Sequence, residues 1–390
     1  MRYIHQLDCW PKFTWNQGKI SVLLGSVRNR QGRLMGRMES LGFALRSEAL
    51  LETLTLDVIK SSEIEGEVLD AHQVRSSIAR KLGLDIAGLV SSDRHVDGVV
   101  EMMLDATQNF SKALTKDRLF GWHASLFPGG YSGLHKIITG AWRDDSHGPM
   151  RVVSGPVGHE KVHFEAPLAE RLEKEMKAFL DWFNGSTSLT MNHEEAIDAV
   201  LKSGIAHLWF VTIHPFDDGT GRIARAITDM QLARADGSPQ RFYSMSARIR
   251  KERKAYYDVL EKMQKNTFDD NTGSWSAGSE GFDVTPWLEW FLGCLDRALE
   301  STEDTLADVF RKARFWELHP IGSINERQQA MINKLFGGFE GKLTSSKWAQ
   351  IAKCSQDTAH RDILDLVEKG ILVKDPAGGR STSYSLKDHQ

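Results

Sequence analysis

Apolar residues return every three or four positions along most of this chain, which predicts a mainly α protein with a few short strands. Ile20, Leu23, Leu24, Val27, Leu34, Met38, Leu41 and Leu45 form one long helical run near the start. Further helices are expected over 97–109, 117–127 and 168–183, the last with Leu172, Met176, Phe179 and Leu180 on its inward side. The segment 196–213 carries Ile197, Val200, Leu201, Ile205, Leu208 and Trp209 at helical spacing. A second buried helix, over 222–235, stops at Asp236-Gly237, a pair suited to a left-handed cap. Helices follow over 246–265, from Thr285-Pro286 with proline in the first turn, and over 306–318. Two β-prone runs around Gly155-Pro156-Val157-Gly158 predict a hairpin over 151–164. The aromatic cluster at 10–15, built around Pro11, is expected as an extended arm pinned to a core.

Composition narrows the classes. Lys plus Arg number 49 against 52 acids, so nothing suggests bulk attraction to nucleic acid or to an anionic membrane. Cys9, Cys294 and Cys354 are far apart and odd in number, which argues against a disulfide framework and a zinc site and fits a reducing cytoplasm. The first residues lack an apolar leader core and no apolar stretch reaches membrane-spanning length, so a cytoplasmic protein without a membrane partner is expected. Polar loops are expected at 185–190 and 270–281, and His193-Glu194-Glu195 is assigned to helix capping because Ile197 breaks the zinc-protease spacing. His159 and His163 flank a turn without Cys or acidic partners at ligand spacing, and are expected to be exposed or structural.

The chemistry gathers between the two buried helices, in His214-Pro215-Phe216-Asp217-Asp218-Gly219-Thr220-Gly221-Arg222-Ile223-Ala224-Arg225. Gly219 and Gly221 allow backbone N–H groups to approach an anion, and the helix start adds unsatisfied donors and a favourable dipole. Arg222 and Arg225, three apart on the new helix, present both guanidinium groups on one side. Asp218 can hold a hard cation against phosphates, and His214 supplies a base that titrates near neutrality. No Gly-Lys-Ser/Thr closes the turn, so it is not a Walker loop.

At these residues the chain resembles the Fic family, whose motif reads His-Pro-Phe-x-Asp/Glu-Gly-Asn-Gly-Arg-x-x-Arg. Thr220 alone departs, standing where most members carry Asn; it stays polar but is shorter and lacks the amide, which bears on phosphate grip and turnover. The resemblance implies a helical fold and transfer of AMP from ATP to a protein hydroxyl. It implies His214 as the base that deprotonates the target hydroxyl and Asp218 as the ligand of Mg2+. Gly219, Thr220 and Gly221 then match the anion hole, Arg222 and Arg225 the β- and γ-phosphate contacts, and Phe216 is placed with them among the ATP-binding residues. The hairpin at 151–164 resembles the family's flap, which pins a target protein by strand addition, a mode that fixes a segment whatever its sequence. Tyr256 and Tyr257 resemble the nucleobase-pocket region, with core packing an equal reading for each.

The amino-terminal stretch Ile59-Lys60-Ser61-Ser62-Glu63-Ile64-Glu65-Gly66-Glu67, read alone, is a short acidic helix ended or bent at Gly66. Beside a Fic motif, Ser61, Glu65 and Gly66 match the inhibitory signature Ser/Thr-x-x-x-Glu-Gly/Asn, in the position of the class that carries its inhibitory helix N-terminally (class II). Glu65 contacting Arg225 is the implied brake.

Near the other end, helices over 325–336, 345–353 and 356–369 precede short strands at 371–374 and 381–386, an order that resembles a winged helix-turn-helix domain. The third helix carries Arg361 and Lys369 against Asp357, Asp362, Asp365 and Glu368, which favours protein contact or a dimer role over specific DNA binding; Lys374 and Arg380 in the wing keep DNA open. The expected organisation is an N-terminal helical domain at 1–85 with its inhibitory helix at 59–67, a Fic catalytic core at 86–270, a helical linker at 282–320 packed on that core, and the winged-helix-like domain at 321–390. The reading is a protein adenylyltransferase that modifies a Ser, Thr or Tyr hydroxyl of a target protein or of itself, with homodimerisation as a further expectation. Its rivals are removal of AMP, transfer of another phosphate-linked group, and a nucleotide-sensing transcriptional regulator.

Overall fold

The apolar run that begins at Ile20 continues past residue 41 without a gap in its pattern, yet the chain turns within it. Strand β1 (Phe13–Thr14) leads into helix α1 (Gln17–Ser40), which the Asn16 side chain caps by accepting from the Lys19 N–H. Helix α1 ends at Leu41, whose backbone is extended (φ −73°, ψ 140°), and α2 (Phe43–Ile64) starts from Gly42. One expected helix is therefore two. The stretch Ser61 to Glu65, expected as a short helix of its own, is instead the last turn of α2, and Gly66 reverses the chain with φ at 86°. Helix α3 (Ala71–Leu82), capped by Asp70 and closed by a left-handed Gly83, has no counterpart among the elements expected from periodicity.

The structure is a computed structural model that describes residues 2–84, 88–146, 148–156, 159–185, 197–265, 281–319, 324–336, 339, 341–376 and 382–387. The polar loops expected at 185–190 and 270–281, the 193–195 triplet and Arg380 lie wholly or largely outside these residues.

Helices α4 (Arg94–Gln108) and α5 (Lys116–Leu126) pack on each other, and two hairpins follow. The first joins β2 (Tyr131–Ser132) to β3 (His135–Lys136); the second, β4 (Arg151–Ser154) with β5 (Lys161–Glu165), is antiparallel with an irregular register at Val152 and Val153. Helix α6 (Leu172–Phe183) covers α7 (Ala199–Ile213), which has no polar face, since residues from Val200 to Ile213 are almost all buried. Such a helix belongs at the centre of a fold, each fully buried large apolar side chain contributing roughly 1.5–3 kcal/mol. Helix α8 (Thr220–Asp236) lies along it and ends, as expected, on a left-handed Gly237 (φ 62°).

The segment expected as one helix at 246–265 is divided at Glu252 into α9 (Met245–Lys251) and α10 (Arg253–Gln264). Strand β6 (Phe282–Asp283) pairs in parallel with β1, which pins the aromatic arm; Phe13 meets Trp209 of α7 edge to face at 5.5 Å between centroids. In α11 (Thr285–Thr305), Trp287 Nε1 donates to the Gly204 carbonyl at 2.8 Å, and a side chain at Gly204 would strike the Phe291 ring. That glycine lets α7 and α11 close on each other.

The chain divides into two compact units, 1–303 and 304–390. The second comprises α12 (Ala307–Leu318), α13 (Glu326–Phe336), α14 (Ser345–Ala352), α15 (Gln356–Glu368) and the antiparallel pair β7 (Leu372–Lys374) and β8 (Tyr384–Leu386). Its core gathers Phe315, Met331, Ile332, Trp348, Ile363 and Leu366. The linker expected at 282–320 is thus corrected: α11 belongs almost wholly to the first unit, while Phe315 of α12 is a core residue of the second. Among the described residues no helix is long and apolar enough to cross a membrane.

Candidate active site

Helix α7 ends at His214 in the left-handed region (φ 50°, ψ 62°), with the His214 N–H donating to the Phe210 carbonyl at 3.1 Å. A histidine pays a conformational penalty there, so the surroundings must hold it. Arg143 does so. Its guanidinium is 3 % exposed; Nε donates to the His214 carbonyl at 2.7 Å, one terminal nitrogen to the Pro167 carbonyl at 2.6 Å and the other to Asp145 at 2.9 Å, while its own N–H reaches the Pro215 carbonyl at 3.0 Å. Substituting alanine removes these ties and leaves buried acceptors unmet, so Arg143→Ala is expected to lower unfolding free energy by on the order of 3 kcal/mol, read by urea denaturation. Lysine should recover only a minor part, since a single ammonium cannot reproduce the fork.

Phe216 is fully buried and stacks face to face on His123 at 4.2 Å. The Gly140 N–H donates to His123 Nδ1 at 3.1 Å, so the ring proton sits on Nε2 and is donated to the Asp218 carbonyl at 3.2 Å. Burial draws this imidazole down to about 4, consistent with that neutral form. The Asp217 carboxylate accepts from the Ile138 N–H at 2.9 Å, and Asp218 accepts from the Ser132 hydroxyl and the Gly219 N–H. These bonds pin the turn between α5, β2 and the 138–143 segment. Phe216 therefore anchors the loop from beneath; as a contact for nucleotide it is corrected.

Gly219 is left-handed (φ 78°), and a side chain there would strike the Phe127 ring. Thr220 opens α8 with its hydroxyl turned back to the Phe216 carbonyl at 3.5 Å and is 2 % exposed, so its side chain closes the turn rather than facing an anion. The base expected to titrate near neutrality is also corrected. Burial first, and the Arg143 guanidinium second, draw the His214 imidazole down to about 4, against a bond to the Val211 carbonyl and the charges of Glu65 and Asp218. At neutral pH it is an uncharged base.

Glu65 meets Arg225 across 160 residues of sequence: the guanidinium donates to Oε1 at 2.8 Å. Ser61 supports the same arginine, its hydroxyl accepting from Nε at 2.8 Å and its carbonyl from Nη2 at 2.9 Å. Burial opposes the Arg225 charge, yet Glu65 outweighs it and holds the guanidinium above its ordinary range. Its remaining terminal nitrogen is buried with no partner among the described residues. A methyl group at Gly221 would collide with the Glu65 carboxylate, which thus lies over the glycine that should receive an anion. Arg222 is held by a second carboxylate, Glu67, at 2.7 Å.

Of the two tyrosines, Tyr256 is 2 % exposed and shares a 2.8 Å hydrogen bond with His207 Nε2 in the core, which corrects its assignment to a nucleobase pocket. Tyr257 is half-buried beside Arg253 and close enough to Glu65 to feel its charge. On the hairpin, His163 joins Ser154 at 2.6 Å to Glu261 of α10 at 2.7 Å, an acidic partner 98 residues away. Val153 and Val162 are exposed beside it.

In the second unit, Asp362 is 6 % exposed and accepts from Arg327 and Asn325 of the α13 region, and Asp365 accepts from Gln328 and Lys369. Asp362 points back into the unit, whereas the Asp365 side chain is 42% exposed and Asp357 and Glu368 are exposed, so α15 keeps acidic residues at its surface.

Residues 113–232 match the model of the Fic/DOC family, and residues 3–84 match a domain of unknown function, DUF4172. The chain is 29% identical over 188 residues to protein adenylyltransferase fic-1 of Caenorhabditis elegans, covering 48% of this chain and 33% of the relative. It is 23% identical over 257 residues to protein adenylyltransferase Fic of Nematostella vectensis, covering 65% of this chain and 49% of the relative. It thus spans half or less of the length of these curated relatives. In fold it is similar to the crystal structure of a Fic family protein from Desulfovibrio desulfuricans G20, with a TM-score of 0.58 at 23% identity over 97% of this chain and 99% of that one.

Proposed function

We propose that this chain is a protein adenylyltransferase of the Fic type, held inactive by Glu65 and working in the cytoplasm. The observation that carries the reading is the Glu65–Arg225 contact laid over Gly221, beside His214 and Asp218 in one turn. In the reaction, a Ser, Thr or Tyr hydroxyl of a target gives its proton to His214 as its oxygen attacks the α-phosphorus of ATP. The bond from that phosphorus to the bridging oxygen breaks and pyrophosphate leaves. The protein's part is position and charge: Arg222, Arg225 and the N–H groups at the start of α8 face the phosphates, and Arg143 fixes the base.

Asp218 suits Mg2+, which takes one or two carboxylates and fills its shell with water and phosphate oxygens; among the described residues no cluster of three ligating groups exists, and none is needed. When bound, the ion neutralises phosphate charge. The target segment is assigned to the edge of β4 and β5, supported by exposed Val153 and Val162. Self-modification, a homodimer and a protein-contact role for the winged-helix-like second unit, with DNA binding as its alternative, belong to the same reading. A second reading, removal of AMP with Glu65 orienting water, is supported by the closeness of Glu65 to His214.

The test is label transfer by the full chain carrying Glu65→Gly, with ATP labelled on the α- or the γ-phosphate. Label from the α position alone should enter protein, and chelation of magnesium should abolish it. Transfer of γ-label would make the chain a phosphotransferase; no transfer with tight ATP binding would favour the sensor.

A further inference from the structure

Glu67 lies beyond the inhibitory signature, two residues past Glu65, and its carboxylate is divided between cations of two different helices. Oε2 accepts from the Arg222 guanidinium at 2.7 Å, and Oε1 stands 2.9 Å from Nε2 of His95 on α4. His95 Nδ1 in turn faces the Leu126 carbonyl at 3.3 Å, and the Arg222 guanidinium lies 5.0 Å over the Phe127 ring. Arg222 is 3 % exposed, and its Nε is buried with no hydrogen-bond partner among the described residues. Burial opposes ionisation of Glu67, but His95 and Arg222 outweigh it and hold its carboxyl below the usual range; the same contact raises the His95 imidazole.

Each arginine of the turn therefore carries its own carboxylate, Glu65 on Arg225 and Glu67 on Arg222. We propose that Glu67 is a specificity-determining residue of the nucleotide site, a fixed negative charge on Arg222 that disfavours the polyphosphate tail of a nucleoside triphosphate relative to a nucleoside monophosphate. The inference rests on Arg222 being a phosphate contact. A phosphate that reaches this guanidinium must share it with the carboxylate or displace it, and two anions on one buried cation repel strongly where solvent screening is weak. A monophosphate has no tail to bring there. Glu67 is itself about one-third exposed (36% of its side chain), so it has room to swing aside at a cost in its bonds to Arg222 and His95.

A carboxylate can also orient an arginine for its ligand, and two substitutions separate the roles. Glu67→Gln keeps an oxygen acceptor for Arg222 and loses the charge; Glu67→Ala loses both. Calorimetric titration of ATP and of AMP, with magnesium, onto the full chain should show ATP bound about tenfold more tightly by both variants than by the parent, with AMP changed less than about twofold. Unchanged ATP affinity overturns the proposal, as does affinity kept in Glu67→Gln and lost in Glu67→Ala, the pattern of an orienting residue. The His95 titration followed by NMR reports the contact without any nucleotide, and should fall towards the ordinary imidazole range in Glu67→Gln. If it falls while neither the parent nor Glu65→Gly binds either nucleotide, the phosphate-site reading is what fails, and this assignment falls with it.

Discussion

Glu65→Gly is expected to raise the initial rate of AMP incorporation at saturating ATP by about two decades over the parent. The argument is geometric. The Glu65 carboxylate occupies the space over Gly221 and engages Arg225, while Ser61 fixes the rest of that guanidinium. ATP that enters past this carboxylate must carry its tail elsewhere, and a displacement of the reacting phosphorus by about 1 Å is enough for a hundredfold loss. Removing a catalytic acid would lower the rate; removing a misplacing one raises it. Arg225→Ala should not activate, because the same guanidinium is needed to grip the phosphates, and the double variant should stay as slow as Arg225→Ala. An unchanged or lower rate in Glu65→Gly sinks the inhibitory role. Loss in that variant of the ability to strip AMP from a modified target would put the water-orienting role in its place.

What could be read beforehand was what the chain keeps local. The turn from His214 to Arg225 holds its histidine, acid, glycines and arginines within twelve residues of sequence, so their order on a helix start follows from the string itself. Ser61 and Glu65 are four apart and share a helix face for the same reason. Partners brought in from a distance were invisible: Arg143 lies 71 residues from the His214 it secures, and Glu67 lies 155 from Arg222. Both stand in stretches that drew notice for other reasons, yet no spacing rule links them to the turn. Adjacent Tyr256 and Tyr257 point about 100° apart on one helix, so at most one can face the site, and only His207 decides which. On α15 the same holds for one charge, since Arg327 and Gln328 of another helix draw Asp362 inward. Breaks within helices were also hidden. Leu41 keeps the apolar rhythm while its backbone leaves the helix, and Glu252, an ordinary helix former, divides a helical run with a backbone at φ −107°, ψ 25°.

His214→Ala, made in the Glu65→Gly background, is expected to lower transfer by roughly 10²–10⁴-fold, the usual contribution of a positioned general base. Nucleotide binding should change little, because Arg222, Arg225 and the N–H groups at the start of α8 remain. The structure adds a sign and a position to the pH dependence. Burial and Arg143 favour the neutral imidazole and place its titration at about 4, so the active, unprotonated base is already full at neutral pH. Activity is lost as pH falls through that value, not through the ordinary 6.5 of a solvent-exposed histidine. The profile of kcat/KM, which reports the free enzyme, should therefore stay level from about pH 8 to pH 6 and show its acid limb below. Arg143 supplies the check on cause: with its charge neutralised in Arg143→Gln, the limb should move towards higher pH in whatever fraction of the enzyme still folds. An acid limb centred near 6.5 in the parent would mean that His214 is solvated in the free enzyme, and equal rates with and without the imidazole would remove it from the mechanism.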